Sequence, residues 1–431
     1  MPLLMLAVLE AALRLAGYGY PTQLFEKVQI AGKEFLLNNE KFGLRFFPPE
    51  LSRWPSPLMM EPVKPPGTFR IFIFGESAAQ GDPEPSYGAG RYMEVLLRER
   101  YPGVNFEVDN VAITAINSHV IVPIARECAK YQGDLWIVYM GNNEMIGPFG
   151  AATVFGAKAP PWPLVRLGLV LQTTRVGQLL MDLGRKLKGK ASGPGVWGGL
   201  QMFLGNQLPP DDPRKEVVYK NFQRNLQDIL RAGLDAGAAV ILNTVSVNLK
   251  DCPPFASIPS GTLSPADREK CDRLCSDGRG AEMSGDWKTA AADFEQALTL
   301  DPQMAETQFR EGECLLKLND ATGAAAHFQK ARDYDALAFR ADSRINSIIE
   351  ESGQQLARPG LVVCDAAASL PETGKIPGQE TFYEHVHFNF DGNYRLALLW
   401  AEKAGQFLPE SVRTRARTAG PRRKSAKLAW V

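Results

Sequence analysis

A serine, a histidine and a carboxylate that could act as one nucleophilic unit stand near opposite ends of this chain. Ser77 ends the tetrapeptide Phe74-Gly75-Glu76-Ser77, and Glu384-His385-Val386-His387 follows so that Ser77 and His387 are 310 residues apart. A hydroxyl becomes a nucleophile when a base takes its proton, and the base needs an acid that fixes its tautomer. Glu384 precedes His387 by three residues, which favours His387 over His385 as the base. A metal site at His385 and His387 is an alternative, without a supporting Asp/Cys cluster. A lone serine after a strand is more often a turn or cap residue, and Asn143 could equally close an Asx turn. His119 and His327 read as structural residues on helices.

These groups need a fold to bring them together. The apolar run at 69–74 (FRIFIF), broken only by Arg70, reads as a buried parallel strand. A serine in the turn after it sits where an open α/β sheet presents reactive groups, outside the carboxyl ends of its strands. Strand and helix alternate over 69–145: FRIFIFG, YMEVLLRERYP, NFEVDNVAI, SHVIVPIARECAKY and DLWIVYMGNNE. That alternation predicts a parallel sheet with helices on both faces. A helix over 216–236, the strands AAVILNTVSVN and LVVCDA, and a helix from Gly392 extend the unit. Four segments fall at the carboxyl end of a strand or in the last loop, where they can line one crevice. They are Gly75-Glu76-Ser77, Asn110–Ala115, Gly141-Asn142-Asn143-Glu144 and Glu384–His387.

In this order, the four segments resemble the SGNH (GDSL-type) hydrolase superfamily, over about 69–146, 216–250 and 360–407. The resemblance implies a flavodoxin-like three-layer α/β/α domain with a parallel sheet, no cofactor and no metal. Ser77 matches the nucleophile, His387 the general base and Glu384 the acid that orients it. The backbone N–H of Ser77, that of Ala115 and the side-chain amide of Asn143 match the oxyanion donors, which face the charge that develops on a tetrahedral intermediate. The chain departs from the usual pattern with Glu76 for Asp, Ala115 for Gly, Glu144 for Asp and Glu384 for Asp. The implied activity is hydrolysis of an O-acyl (acetyl) ester of carbohydrate or lipid through an acyl-enzyme. One alternative is an O-acetyltransferase that passes the same acyl group to a sugar hydroxyl. An alternative of another class is an interaction scaffold with an idle α/β domain.

At 431 residues the chain is long enough for two or three domains. Its 48 basic and 48 acidic residues leave no net charge, which argues against a dedicated nucleic-acid binder. The six cysteines form no CxxC pair and read as free thiols. Residues 1–68 form a lead-in, irregular over 18–68. Its apolar start is interrupted by Glu10 and Arg14 and falls short of the about 20 apolar residues of a spanning helix. It reads as an interfacial helix, as the end of a membrane anchor that starts upstream, or as a packed helix. A membrane-associated or extracytoplasmic location is favoured over a cytoplasmic one.

The first part of the α/β domain spans 69–250, and the insertion at 150–215 within it carries one amphipathic apolar-basic helix. That helix is packed on the core, or it serves as a lid or membrane-facing element. Residues 271–338 repeat with a period of 34: Gly278 matches Gly312, Ala290 matches Ala324, Phe294 matches Phe328 and Ala297 matches Ala331. The pattern resembles two tetratricopeptide repeats, inserted before the α/β domain resumes at 339–408. Two such repeats bury little core of their own, so they are expected to lean on that domain, with a surface left for a protein partner. Phe339–Arg344 reads as a salt-bridged connection, with substrate contact by an arginine as the alternative. Residues 409–431 read as a basic disordered tail, either solvated or touching anionic lipid.

Overall fold

The computed structural model describes residues 1–188, 195–372 and 374–417; Arg422, Arg423, Lys424 and Lys427 of the basic tail lie outside them. The chain opens with helix α1 (Pro2–Leu15), none of whose residues is buried. The stretch 18–68, read as irregular, contains a three-stranded antiparallel sheet of β1 (Phe25–Ile30), β2 (Lys33–Asn38) and β3 (Met59–Met60). Ala31 and Gly32 join the first two strands with φ of +49° and +80°, the signature of a type I′ turn. The usual Asn-Gly or Asp-Gly signal for that turn is absent, and the polar residues of FEKVQI and KEFLLN blur the alternation. Glu127 accepts the Leu24 and Phe25 N–H groups and ties this sheet to the main body.

The strands and helices that follow build the α/β unit. Strand β4 (Thr68–Gly75) leads through the single turn α2 (Ser77–Gln80) to α3 (Ala89–Arg100), β5 (Asn105–Asn110), α4 (Ser118–Cys128) and β6 (Leu135–Tyr139). Among its described residues the insertion holds two helices rather than one, α5 (Trp162–Leu171) and α6 (Arg175–Lys188). The break falls at Gln172–Thr174, where the Thr174 hydroxyl accepts the Gly177 N–H and caps the second helix. Helix α7 (Pro213–Asp235) returns to β7 (Ala239–Asn243).

Four helices come next: α8 (Pro265–Met283), α9 (Trp287–Leu300), α10 (Ala305–Lys317) and α11 (Ala321–Asp333). They pack as α8 on α9 and α10 on α11. The matched residues of the 34-residue period meet inside each pair. A Cβ on Gly278 would stand 2.7 Å from the Phe294 ring, and one on Gly312 would stand 2.9 Å from Phe328. Then α12 (Ser343–Gln355), β8 (Leu361–Cys364), α13 (Ala366–Ser369), α14 (Phe390–Gly405) and α15 (Glu410–Arg413) complete the chain.

β5, β4, β6, β7 and β8 form, in that order, one fully parallel sheet. Counted along the unit the order is 2-1-3-4-5, so the chain switches direction beside β4. α3 and α14 pack together on one face, and α4, α7 and α12 on the other. Period-two alternation sends Trp136 against Gly233 of α7 and Tyr139 against Trp400 of α14. Arg70, the one charge in the first apolar run, is fully buried. Its guanidinium donates to Glu107, to the Tyr131 carbonyl and to the Glu61 carbonyl.

Candidate active site

Ser77 begins α2 in the turn after β4. Gly75 makes that turn close, since a Cβ there would fall 2.2 Å from the Tyr139 carbonyl oxygen. Ser77 is 7% exposed. Its hydroxyl Oγ lies 2.7 Å from His387 Nε2. On the other side of the ring, Nδ1 lies 2.5 Å from Glu384 Oε1. An ionised carboxylate only accepts, so Nδ1 carries the hydrogen and Nε2 accepts from the serine. Ser77, His387 and Glu384 are therefore joined in one hydrogen-bond chain.

The loop that carries His387 is held by its own backbone. Phe382 and Phe388 form an antiparallel bridge, their rings stacked at 5.0 Å, and the Tyr383 N–H donates to the His387 carbonyl. Glu384 folds back over the loop. Its Oε1 accepts the His387 N–H and its Oε2 accepts the His385 N–H, both at 2.8 Å. Asn248, in the segment after β7, donates to the Glu384 and His385 carbonyls and fastens the loop to the sheet. His385 also turns its Nδ1 to the second oxygen of Glu384, so two imidazoles share one carboxylate. Its ring packs edge-on against Phe255, and burial pushes its pKa down to about 3, so it stays neutral.

Glu76 builds the opposite wall. Its buried carboxylate accepts the N–H groups of Gly141, Asn142 and Asn143, which draws the turn after β6 against the residue next to Ser77. Asn143 Nδ2 donates to the Ile116 carbonyl at 3.0 Å, which ties that turn to the loop holding Ala115. Ala115 has φ of +62°, a region that costs an L-residue roughly 1–2 kcal/mol. Neither the Ser77 N–H nor the Ala115 N–H has a partner among the described residues. Three donors thus come from three turns at the switch point. A serine there can attack a carbonyl while the ring takes its proton, and free N–H groups nearby can stabilise an oxyanion.

No known protein family and no curated protein matches this chain.

The charges around the site are unusual. Burial, and then the charge of Glu144, raise the Glu76 carboxyl well above its ordinary range, while the three backbone N–H groups pull it down. Burial raises Glu144 to about 7, against the pull of the Ser118 N–H and hydroxyl that it accepts. Burial lowers His387, and the nearby Asp82 carboxylate pulls it partly back. Asp82 itself accepts from Thr114.

Sequence reasoning missed Glu76 and Asp82. Glu76 stood in the Gly-Glu-Ser turn in plain view, but its acceptor role depends on a loop 65 residues away. His119 is buried on α4, and His327 on α11 pairs with Gln308. Arg340 is buried and donates to the Asn248 and Cys252 carbonyls and to Asp335, as an internal tie. All six cysteines are free and buried. Among the described residues no cluster of three His, Cys, Asp or Glu could hold a metal ion.

Proposed function

We propose that this chain is a serine ester hydrolase of the SGNH (GDSL-type) superfamily, with a flavodoxin-like α/β/α domain and two inserted tetratricopeptide-like repeats. The observation that carries the reading is the unbroken chain Glu384–His387–Ser77, made across 310 residues. Ser77 Oγ attacks the ester carbonyl carbon as His387 Nε2 takes its proton. The tetrahedral oxyanion accepts from the Ser77 and Ala115 N–H groups and from Asn143 Nδ2. His387 returns the proton to the departing alcohol and leaves an acyl-Ser77. Water, deprotonated by the same nitrogen, attacks the acyl carbon, and Ser77 leaves with the proton. Glu384 holds the ring and offsets the charge of the imidazolium.

The substrate class is an O-acyl ester, with acetyl esters of carbohydrate or lipid as the first to test. Turnover of p-nitrophenyl acetate, butyrate and octanoate by the wild type and by Ser77→Ala tests the activity and the acyl length together. Ser77→Ala and His387→Ala should each lower kcat by orders of magnitude, with the double variant hardly worse than either, because the residues act as one unit. Loss of activity in His385→Ala with near-normal turnover in His387→Ala would overturn the base assignment. Transfer of acetyl to an added sugar hydroxyl in preference to water would move the reading to an O-acetyltransferase.

A further inference from the structure

Three adjacent helices outside the site each expose large apolar side chains. α1 packs on α6, and α6 packs on α5. On α1, Leu3 and Leu4 are 81% and 65% exposed, and Val8 is exposed as well. On α5 the outward stripe is Leu164, Leu167 and Val170. On α6 it is Leu180, Leu183 and Leu187, the last 88% exposed. Single exposed leucines are ordinary, but so many exposed large apolar side chains on three adjacent helices are not.

The acidic groups of these helices are already engaged. Glu10, which breaks the apolar start of the chain, accepts the Val176 N–H at the head of α6 and pairs with Arg14. Asp182 is held by the Tyr18 hydroxyl and by Arg185. The three helices carry six basic and two acidic residues, in a chain whose formal net charge is zero. Lys186 is exposed and makes no hydrogen bond or ion pair with the described residues, though its charge acts on Asp182. The large exposed apolar side chains of the three helices are leucine, methionine and valine, without an aromatic. Protein interfaces concentrate their energy in Trp, Tyr and Arg anchors seated in pockets. An aliphatic surface on helices with an excess of basic residues suits fluid acyl chains beneath anionic headgroups.

We propose that α1, α5 and α6 form a docking surface for an anionic lipid bilayer, their leucines in the acyl boundary and Lys186 at the headgroups. The proposal does not depend on the esterase reading. It is tested by co-sedimentation of the full chain with phosphatidylcholine vesicles, with and without phosphatidylglycerol. The expected result is pelleting with the phosphatidylglycerol vesicles, weakened by salt and by Lys186→Glu. Leu167→Glu combined with Leu183→Glu, and separately Leu4→Glu, should lower the bound fraction roughly tenfold or more at an unchanged melting temperature. No pelleting with either vesicle overturns the proposal. Equal, salt-independent pelleting with both removes its anionic part. Light scattering that gives a wild-type dimer, made monomeric by these leucine variants, would assign the face to a second copy of the chain and overturn it too.

Discussion

Glu384 is one methylene longer than the aspartate usual at such a position, and the structure accommodates it by folding the side chain back over its own loop. One oxygen serves both the N–H and the Nδ1 of His387. Glu384→Gln should therefore lower kcat far more than Glu384→Asp, because the imidazolium needs a negative neighbour and the Nδ1 tautomer an acceptor. Steady-state kinetics of the two variants decide it. Equal, mild losses would mean a Ser–His dyad. The pH dependence follows from His387. Burial lowers its pKa below the ordinary 6.5, and the base works only when neutral, so the acid limb of kcat/KM should lie below pH 6.5. The Asp82 carboxylate, in addition to the bonded Glu384, raises it. Asp82→Asn should move that limb to still lower pH, and a shift upward would show that another group titrates.

At the scale of elements, the site is an assembly of turns that one buried carboxylate holds in register. Glu76 binds the three N–H groups of the turn after β6, and that turn presents Asn143. Glu76→Gln keeps the size but loses part of the acceptor capacity, leaving buried N–H groups unmet at about 1–3 kcal/mol each. It should lower both the melting temperature and kcat with little change in KM, because Asn143 would no longer be held. Glu76→Asp should restore part of both. Asn143→Ala should lower kcat by roughly 10²–10³-fold with ground-state binding retained. An effect confined to KM would leave Asn143 as a substrate-positioning residue. The segment leaving α11 meets the same turn, where the Ala341 N–H donates to Asn142 Oδ1. The inserted helices are thus one hydrogen bond away from the candidate oxyanion donors.

At the scale of the whole molecule, the two inserted helix pairs differ in how they attach. Phe309, Ala324, Phe328 and Ala331 of α10 and α11 belong to the main hydrophobic core. Ala290, Phe294 and Ala297 of α9 fall instead in small satellite clusters with Cys271, Cys275 and Cys314. An enlarged side chain overpacks either place by ~1–3 kcal/mol, but the consequence should differ. Ala324→Leu should lower the melting temperature of the single main transition. Ala290→Leu should loosen α8 and α9 locally, visible as faster hydrogen exchange in those helices with the main transition little changed. If calorimetry showed all four helices melting early and together, the core shared by α10, α11 and the sheet would contribute little.

The residues that could do chemistry, the strands they follow and the 34-residue helical period were legible in the chain itself. Each is a local signal: an apolar run, a glycine turn, a carboxylate three residues before a histidine. The small sheet at 25–60 was not, because its turn, Ala31-Gly32, carries a weak signal and its third strand, Met59–Met60, pairs from twenty residues away. The break between α5 and α6 is held by the Thr173 and Thr174 hydroxyls and the Gln178 amide, inside an otherwise helical apolar pattern. Only the tertiary structure decided the strand order around β4, the partners of buried Arg70, and the use of Glu76 to hold a loop. It also decided which alanines of the repeat join the main core. Local periodicity says which face of an element is apolar. It does not say what a buried charge will meet, because that partner arrives from a distant part of the chain once the layers have packed.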